Sequence, residues 1–307
     1  VLRGPFSALY GNSSGGVMQV FTEDGEAPPR LGFSFAAGSY GTHRESLKVG
    51  GASGAVNYLL DGSHFETDGY REHSAAQRDI VNGKLGVALD DGSKLTLVLN
   101  SVRIRAQDPL GLTPAQYALD PRSVASAATL FDTRKSVDQT QAGLVYERRI
   151  DADNDLRLMI YGGQRQTTQF QSIPVAVQTP PTQSGGVIDL TRKYAGMDLR
   201  WTTRVALAGR PLEGATGLAY DTLDESRQGY ENFIAGPSGT LLGVQGRLRR
   251  DERNDAYNLD PYMQASWQLA ERWTLEGGFR YSTVNIDSSD RYIRPGNGDD
   301  SGAAGYP

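Results

Sequence analysis

Long segments in which apolar and polar residues alternate are the strongest constraint on how this chain can fold. In one of them the apolar set is Trp273, Leu275, Phe279 and Tyr281, and the polar set is Thr274, Glu276, Arg280 and Ser282. Because successive side chains of a β-strand point to opposite faces, this pattern predicts a strand with one apolar and one polar face. Strands of soluble proteins run to about five or six residues. The segments here run to about ten or more, the length that a tilted strand needs to cross a bilayer.

The same alternation recurs at several other places along the chain. The segment before the first one has Tyr257, Leu259, Met263, Ala265, Trp267 and Leu269 on one face, and Asn258, Asp260, Tyr262, Gln264 and Gln268 on the other. Shorter examples are Leu95, Leu97 and Leu99, and Ala142, Leu144 and Tyr146. We therefore expect about eleven strands between Leu31 and residue 283.

The connections between these segments alternate between short and long. Short turns rich in Gly, Asp, Asn and Ser are predicted at 51–54, 90–93, 151–154, 208–211 and 270–272. Longer irregular segments lie at about 65–77, 105–135, 167–187 and 225–252. Transmembrane β-barrels have this asymmetry, with tight periplasmic turns and long extracellular loops. Trp267 and Trp273 flank one short turn, as interfacial aromatic residues do.

Composition excludes several other classes of protein. The net charge over 307 residues is −5, whereas a surface that binds nucleic acid is positively charged. We therefore expect no nucleic-acid partner. Cysteine is absent, which excludes disulfides, thiolate metal sites and cysteine nucleophiles. The histidines, His43, His64 and His73, are too scattered for an HExxH zinc site. No run of about eighteen apolar residues is present, which excludes a membrane-spanning helix.

The first 24 residues, VLRGPFSALYGNSSGGVMQVFTED, carry a family resemblance. The elements Leu2-Arg3-Gly4-Pro5, Leu9-Tyr10-Gly11 and Gly15-Gly16-Val17 resemble the end of the plug domain in TonB-dependent outer-membrane transporters, members of the siderophore-receptor superfamily. By that resemblance, Arg3 is expected to lock the plug to the barrel wall. Tyr10, Gly11, Gly15 and Gly16 are expected to be structural, since glycine admits tight or positive-φ backbone.

Further strings resemble one enterobacterial branch of this family, which is associated with uptake of pyrroloquinoline quinone. They include HFETDGYREHSAAQ (64–77), DTRKSVDQTQAGLVYERR (132–149), TTQFQSIP (167–174), LRRDERN (248–254) and YIRPGNGDDSG (292–302). The resemblance implies active import of a scarce nutrient across the bacterial outer membrane, either pyrroloquinoline quinone or a ferric siderophore. It implies no enzymatic activity and no cofactor.

The fold class implied is all-β: an antiparallel transmembrane β-barrel of about 22 strands when complete, plugged by an N-terminal domain. Residues 1–24 are expected to be the C-terminal end of the plug, and residues 25–307 the N-terminal half of the barrel. We therefore interpret the chain as an internal fragment that lacks a signal peptide, the TonB box and the final strands. A half barrel has open edges that lipid does not tolerate, so we expect that the fragment does not fold alone.

The resemblance also implies the partners. These are the TonB energy-transducing complex, through a TonB box outside this chain, a small anionic ligand, and the lipid and lipopolysaccharide of the outer membrane. The protein is expected to be a monomer.

Candidate ligand-binding residues lie on the long loops, where arginine and aromatic side chains are combined. Guanidinium groups bind carboxylates bidentately, and aromatic rings stack on planar conjugated ligands. The candidates are Tyr70, Arg71, His73, Arg165, Phe170, Tyr230, Phe233, Arg249, Arg250 and Arg253. The alternative is that these arginines are solvated or face lipopolysaccharide.

Other interpretations of the sequence stay open. A passive outer-membrane channel or a barrel enzyme would share the strands and loops but not the plug-like start. A soluble all-β binding module is disfavoured by strand length. The acidic residues Asp287, Asp290, Asp299 and Asp300 could hold calcium, but a solvated loop explains them equally well, so we expect no metal.

Overall fold

The computed structural model describes residues 8–11, 18, 22–89 and 92–306, and most of them form long β-strands. The strands are β1 (Arg30–Ala37), β2 (His43–Ser53), β3 (Val56–Thr67), β4 (Ala76–Ala88), β5 (Ser93–Gln107), β6 (Arg134–Arg149), β7 (Asn154–Phe170), β8 (Val187–Leu207), β9 (Arg210–Tyr230), β10 (Phe233–Gly236), β11 (Gly239–Leu242), β12 (Leu248–Ala270), β13 (Trp273–Arg280), β14 (Thr283–Asp290) and β15 (Gly302–Tyr306). Two short helices, α1 (Pro114–Leu119) and α2 (Ser126–Leu130), lie between β5 and β6.

Within the described residues, thirteen of these strands form one antiparallel sheet in chain order, and β10 pairs with β11 in a separate hairpin. The 23-residue strand β12 pairs with β9 along one edge. Along its other edge it pairs with β13 at one end and with β14 at the other, in one continuous register. Strands β13 and β14 are therefore two parts of one interrupted strand. The expectation of about eleven strands before residue 283 is confirmed.

The two faces of the sheet have the polarity that the sequence predicts. On β12 the odd-numbered side chains are exposed, as shown by Tyr257 (49% exposed) and Met263 (59%). The even-numbered side chains face inward, where Asp260 (4%) and Tyr262 (3%) are buried. Strand pairing carries this assignment through the sheet, so that Leu31 and Phe33 of β1 point outward as well. The apolar face of the wall is thus its outward face.

Short connections lie at one end of the sheet and long ones at the other. Among the described residues, the short turns are 54–55, 150–153, 208–209 and 271–272, and the longer connections are residues 38–42, 68–75, 108–133, 171–186, 231–247 and 291–301. Strands such as β8 and β9, each 21 residues long, continue past the apolar band, so the loops are shorter than the sequence predicts. We call the long-loop end the upper end.

Aromatic residues mark both borders of the outward apolar band. Trp201, Trp267 and Trp273 lie close to the short turns, and Trp273 is 73% exposed. Towards the upper end, the rings of Tyr220 and Tyr257 are 6.5 Å apart on neighbouring strands. This is the arrangement of interfacial aromatic girdles. No helix in the described part of the chain is long and apolar enough to cross a membrane.

Candidate ligand-binding site

The inward face of the wall is basic near its upper end. Three consecutive rows of paired residues cross the sheet at this level, two of them from β2 to β14 and the uppermost from β3 to β12. Seven cationic side chains lie in these rows: Arg44, Arg78, Lys135, Arg165, Arg192, Arg227 and Arg250. The acidic side chains in the same rows are Glu225, Glu252 and Asp290. The described inward surface therefore carries an excess of positive charge, and we call it the basic rows.

Most of these cations lack an ionic partner. Arg192 Nε lies 2.6 Å from Glu225 Oε2, and Arg250 forms an ion pair with Glu252. In the described part of the structure, the remaining five form no hydrogen bond or ion pair: Arg44, Arg78, Lys135, Arg165 and Arg227. The guanidinium of Arg78 lies 5.5 Å from the ring centroid of Phe65, also on the inward face. Unpaired cations beside an aromatic ring form a surface suited to a planar anion.

Below the basic rows the inward face carries a polar network. Tyr262 donates its hydroxyl to Asp198 at 2.7 Å and accepts a hydrogen bond from Arg200 Nε at 3.1 Å. Tyr161 donates to Asp221. Because these groups bind one another, they have less capacity than the basic rows to bind an external anion.

The N-terminal segment contacts this inward face. Arg280 Nη1 donates to the carbonyl of Ala8 at 3.2 Å, while Arg280 Nη2 lies 2.6 Å from Asp260 Oδ2. Gly11 has φ +58°, and a Cβ there would meet the Arg280 guanidinium at 3.1 Å, which fits its predicted structural role. Arg3, Gly15 and Gly16 lie outside the described residues.

A second contact between the N-terminal segment and the wall lies nearer the short turns. Lys84 Nζ lies 2.7 Å from Asp24 Oδ1, and Lys94 Nζ lies 3.5 Å from Asp24 Oδ2. The hydrogen bond and charge of Lys84 lower the pKa of the Asp24 carboxyl. Glu23 pairs with Lys48. In these contacts the wall supplies the cations and the N-terminal segment supplies the anions. The contact expected for Arg3 has the opposite polarity, with the cation on the N-terminal segment.

Two of the ten predicted binding residues, Arg165 and Arg250, lie in the basic rows. Arg165 lies between Gln139 of β6 and Arg192 of β8 in the register of the sheet. Tyr70 is at the upper rim, 48% exposed, with its ring edge-on to Tyr40 at 5.4 Å. These three side chains remain candidates for ligand contact.

Arg71 and His73 hold loops together. Arg71 donates hydrogen bonds to the carbonyls of Leu110 (2.6 Å), Ser123 (2.9 Å) and Pro109 (3.2 Å), all in the 108–133 loop. His73 Nε2 lies 2.9 Å from the Thr133 carbonyl oxygen, with its side chain 10% exposed. Their donors are already engaged by the protein backbone.

Arg249, near the start of β12, and Phe233 of β10 have a similar structural role at another pair of loops. Arg249 donates to the carbonyls of Gln183 (3.3 Å) and Pro180, and its Nη1 lies 3.6 Å from Glu231 Oε1. Phe233 is 7% exposed. Loops 171–186 and 231–247 are also joined by Gln178, which donates to Asn232 Oδ1 at 2.7 Å.

Phe170, Tyr230 and Arg253 have outward positions in the alternation of their strands. The Phe170 ring is covered by the Arg134 guanidinium at 3.5 Å from its centroid. The Tyr230 hydroxyl donates to Gln228 Oε1 at 2.8 Å. Arg253 pairs with Asp224 and, at 3.3 Å, with Asp255. Ligand contact by these residues stays a prediction, and their placement on the outward face does not favour it.

Sequence reasoning missed five members of the basic rows: Arg44, Arg78, Lys135, Arg192 and Arg227. The predicted ligand contacts were residues of the long loops, whereas these five residues lie on strands. The alternation itself contained the signal, because each of them takes a polar position in its strand. Strand register, which the sequence did not supply, brings them together.

Comparison with known proteins agrees with this geometry. Residues 81–306 match the family model described as TonB dependent receptor-like, β-barrel. The chain is 23% identical over 331 residues to the Rhizobactin receptor of Rhizobium meliloti (strain 1021), with 94% of this chain and 42% of that protein covered. The chain thus spans less than half the length of the curated relative that it matches.

Solved structures show the same fold. The siderophore receptor PiuA from Acinetobacter baumannii superposes with a TM-score of 0.81 at 12% identity, covering 99% of this chain and 49% of that one. The open form of the ferric-catecholate import receptor Fiu from E. coli K12 gives 0.76 at 14% identity, covering 99% and 54%.

The architecture is that of a wall segment from an outer-membrane β-barrel, apolar outside and polar inside. The family model covers well over half of the chain. The chain belongs to the TonB-dependent receptor β-barrel family, whose members reside in the bacterial outer membrane. The boundary expected at residue 24, between plug and barrel, stays a prediction.

Proposed function

We propose that the intact protein containing this chain imports a scarce anionic nutrient across the bacterial outer membrane, driven by the TonB complex. The observation that carries the proposal is the charge of the basic rows. Five cations there have no ionic partner in the described structure, on the inward face that a ligand entering from the upper end would meet. These five side chains are exposed or half-buried, so they are accessible to an anionic ligand that would supply the missing partners.

For the ligand we propose pyrroloquinoline quinone first, with a ferric siderophore as the alternative. The quinone is planar and carries carboxylates, so arginine forks and the Phe65–Arg78 pair suit it. The relatives named for siderophores support the second candidate, since one is a rhizobactin receptor and another a ferric-catecholate import receptor. Both ligands are anionic, and the basic rows would bind either by the same chemistry.

The non-covalent contacts of the loops and of the N-terminal segment indicate which parts would stay fixed during transport and which part would move. Arg71 joins loop 68–75 to loop 108–133, and Arg249 contacts both loop 171–186 and Glu231 of loop 231–247, which would give the mouth a defined shape. The described residues of the N-terminal segment are bound to the wall by polar contacts that include those from Arg280, Lys84, Lys94 and Lys48. Such contacts are individually weak compared with a continuous strand ladder, so this segment is where a pulling force would act first.

The test is calorimetric binding by the intact receptor in detergent, with pyrroloquinoline quinone and a panel of ferric siderophores as titrants. The variant Arg165→Gln/Arg227→Gln removes two unpaired cations of the basic rows. The matched control is Arg253→Gln, an arginine on the outward face. Binding that the double variant weakens and the control does not would support the proposal. Binding of either ligand that the double variant leaves unchanged would refute the site.

A further inference from the structure

Two of the three histidines of the chain lie side by side, on the face of the wall opposite to the basic rows. His43 and Glu45 occupy successive outward positions on β2, and His64 and Glu66 do so on β3. The register pairs His43 with Glu66 and Glu45 with His64. The two imidazoles therefore lie diagonally opposite, with ring centroids 5.9 Å apart, and each faces a carboxylate across the strand pair.

The distances within this group suit a shared ion. His64 Nε2 lies 3.5 Å from Glu66 Oε2, and His43 Nε2 lies 4.0 Å from the same oxygen. One donor atom from each of His43, His64 and Glu66 falls within 4.8 Å of the other two. Two ligands bound at about 2.1 Å to a tetrahedral ion are about 3.4 Å apart, so small side-chain rotations would complete the coordination. Glu45 Oε1, 4.0 Å from His43 Nε2, offers a fourth ligand.

The other nitrogen of each imidazole is already bound to a hydrogen-bond acceptor. His64 Nδ1 lies 2.6 Å from Asp79 Oδ1 on β4, and His43 Nδ1 lies 3.2 Å from the Gly41 carbonyl oxygen. A carboxylate and a carbonyl only accept, so both Nδ1 atoms carry the proton. A metal ion bound here would take the Nε2 lone pairs of this tautomer, in place of protons shared with the neighbouring carboxylates. Metal-binding histidines are oriented by such second partners.

The site is accessible and separate from the ligand-binding face. His64 and His43 have side chains 30% and 34% exposed, and Glu66 53%. All three point outward, near the upper ends of β2 and β3 and beyond the exposed apolar side chains Leu47 and Leu60 of the same faces. An ion bound there would lie on the outer surface of the wall above its apolar band.

We propose that His43, His64 and Glu66 bind one divalent first-row transition metal ion, with Zn²⁺ as the reference ion. Imidazole nitrogen together with carboxylate oxygen is a donor set that suits Zn²⁺, Ni²⁺ and Cu²⁺ rather than Ca²⁺ or Mg²⁺. The ion would crosslink β2 to β3 at the upper rim. This proposal is independent of the transported ligand, because it concerns the opposite face of the wall.

The test is Zn²⁺ binding by the intact receptor, purified without a polyhistidine tag and stripped with a chelator. Calorimetry and metal analysis after dialysis should give one Zn²⁺ per chain. His64→Gln and His43→Gln should each weaken binding at least tenfold. Asp79→Asn, which removes no ligand, should weaken it by about tenfold through the loss of the oriented imidazole.

The matched control is His73→Gln, since His73 Nε2 contacts the Thr133 carbonyl in a loop. It should leave the stoichiometry and affinity for Zn²⁺ unchanged. Heat-modifiable migration in gels would establish that each variant is a folded barrel. Substitution with Co²⁺ gives a second readout, because tetrahedral coordination produces visible absorption that the double variant His43→Gln/His64→Gln should lack. Absence of Zn²⁺ binding in the parent, or binding that persists in this folded double variant, would overturn the proposal.

Discussion

The arginines that bind the loops and the unpaired arginines of the basic rows are the same residue type in two opposite states. Arg71 directs its guanidinium to three backbone carbonyls, and Arg249 binds two carbonyls and Glu231. Arg165 and Arg227, on the inward wall, have no such partner among the described residues. An engaged guanidinium stabilises a loop, whereas an unengaged one retains its capacity to bind a carboxylate. The partner state of an arginine, and not its position in a loop, therefore identifies the binding candidates.

The largest effect is expected for Arg71→Ala. The substitution removes three hydrogen bonds from a charged donor and should destabilise the 108–133 loop by about 3 kcal/mol. Hydrogen exchange of the intact receptor should show loss of protection in that loop, with the wall strands unchanged. Arg71→Lys is the matched variant, since its ammonium can replace only some of the hydrogen bonds of the guanidinium. Its protection in the loop should lie between that of the parent and that of Arg71→Ala. Unchanged protection in Arg71→Ala would mean that Arg71 does not stabilise the 108–133 loop.

The next effect is expected for a single change in the basic rows. Arg165→Gln should weaken binding of the anionic ligand by about tenfold, since a charge-assisted hydrogen bond contributes about 1.5–3 kcal/mol. It should leave the stability of the wall unchanged, because Arg165 has no partner to lose in the described structure. Calorimetric titration and heat-modifiable migration measure the two quantities. A loss of stability without a loss of affinity would place Arg165 with the structural arginines.

A smaller effect is expected at Asp24, where the N-terminal segment meets the wall. Its pKa is lowered by the hydrogen bond and charge of Lys84, so the folded state favours the carboxylate. The stabilisation is complete above the unfolded-state pKa of about 3.9 and is lost as the pH falls through the lower folded-state pKa. Because Asp24 is 45% exposed, its contribution should be below about 1 kcal/mol.

Hydrogen exchange of residues 22–26 tests this sign. In the parent, the protection of these residues should decrease as the pH is lowered below about 4. Asp24→Asn should lack that pH dependence. Glu26→Gln, two residues away, is the matched control. A loss of protection on raising the pH would contradict the assignment.

No effect on ligand affinity is expected for Arg253→Gln. Arg253 is on the outward face and pairs with Asp224 and Asp255, so its removal breaks surface ion pairs that contribute little. Titration with the same ligand as for Arg165→Gln provides the measurement. A tenfold loss of affinity here would mean that the outward alternation of β12 does not hold at its upper end.

Much of the wall could be predicted from the sequence, because alternation is a local property. The faces of β12, the position of Trp267 and Trp273 beside a short turn, and the number of strands are all confirmed. The exact strand ends could not be predicted. Above the apolar band both faces are polar, so alternation no longer marks where strands such as β8 and β9 end.

The candidate site was less predictable, because it depends on register and on partners. A loop arginine such as Arg71 looks available in sequence, yet the carbonyls that engage it lie 38 to 52 residues away. The histidines show the same limit: His43 and His64 are scattered in sequence, and only the β2–β3 register brings them together. Non-local pairing of this kind has no signal in a local pattern.

The most direct test of the central claim is to titrate the intact receptor with pyrroloquinoline quinone and, separately, with ferric siderophores, at two salt concentrations. The parent, Arg165→Gln/Arg227→Gln and Arg253→Gln should be compared with the ligand that binds. The account predicts that the double variant loses affinity by about tenfold or more and that Arg253→Gln keeps it. A double variant that binds as tightly as the parent, or a larger loss in Arg253→Gln, would contradict it.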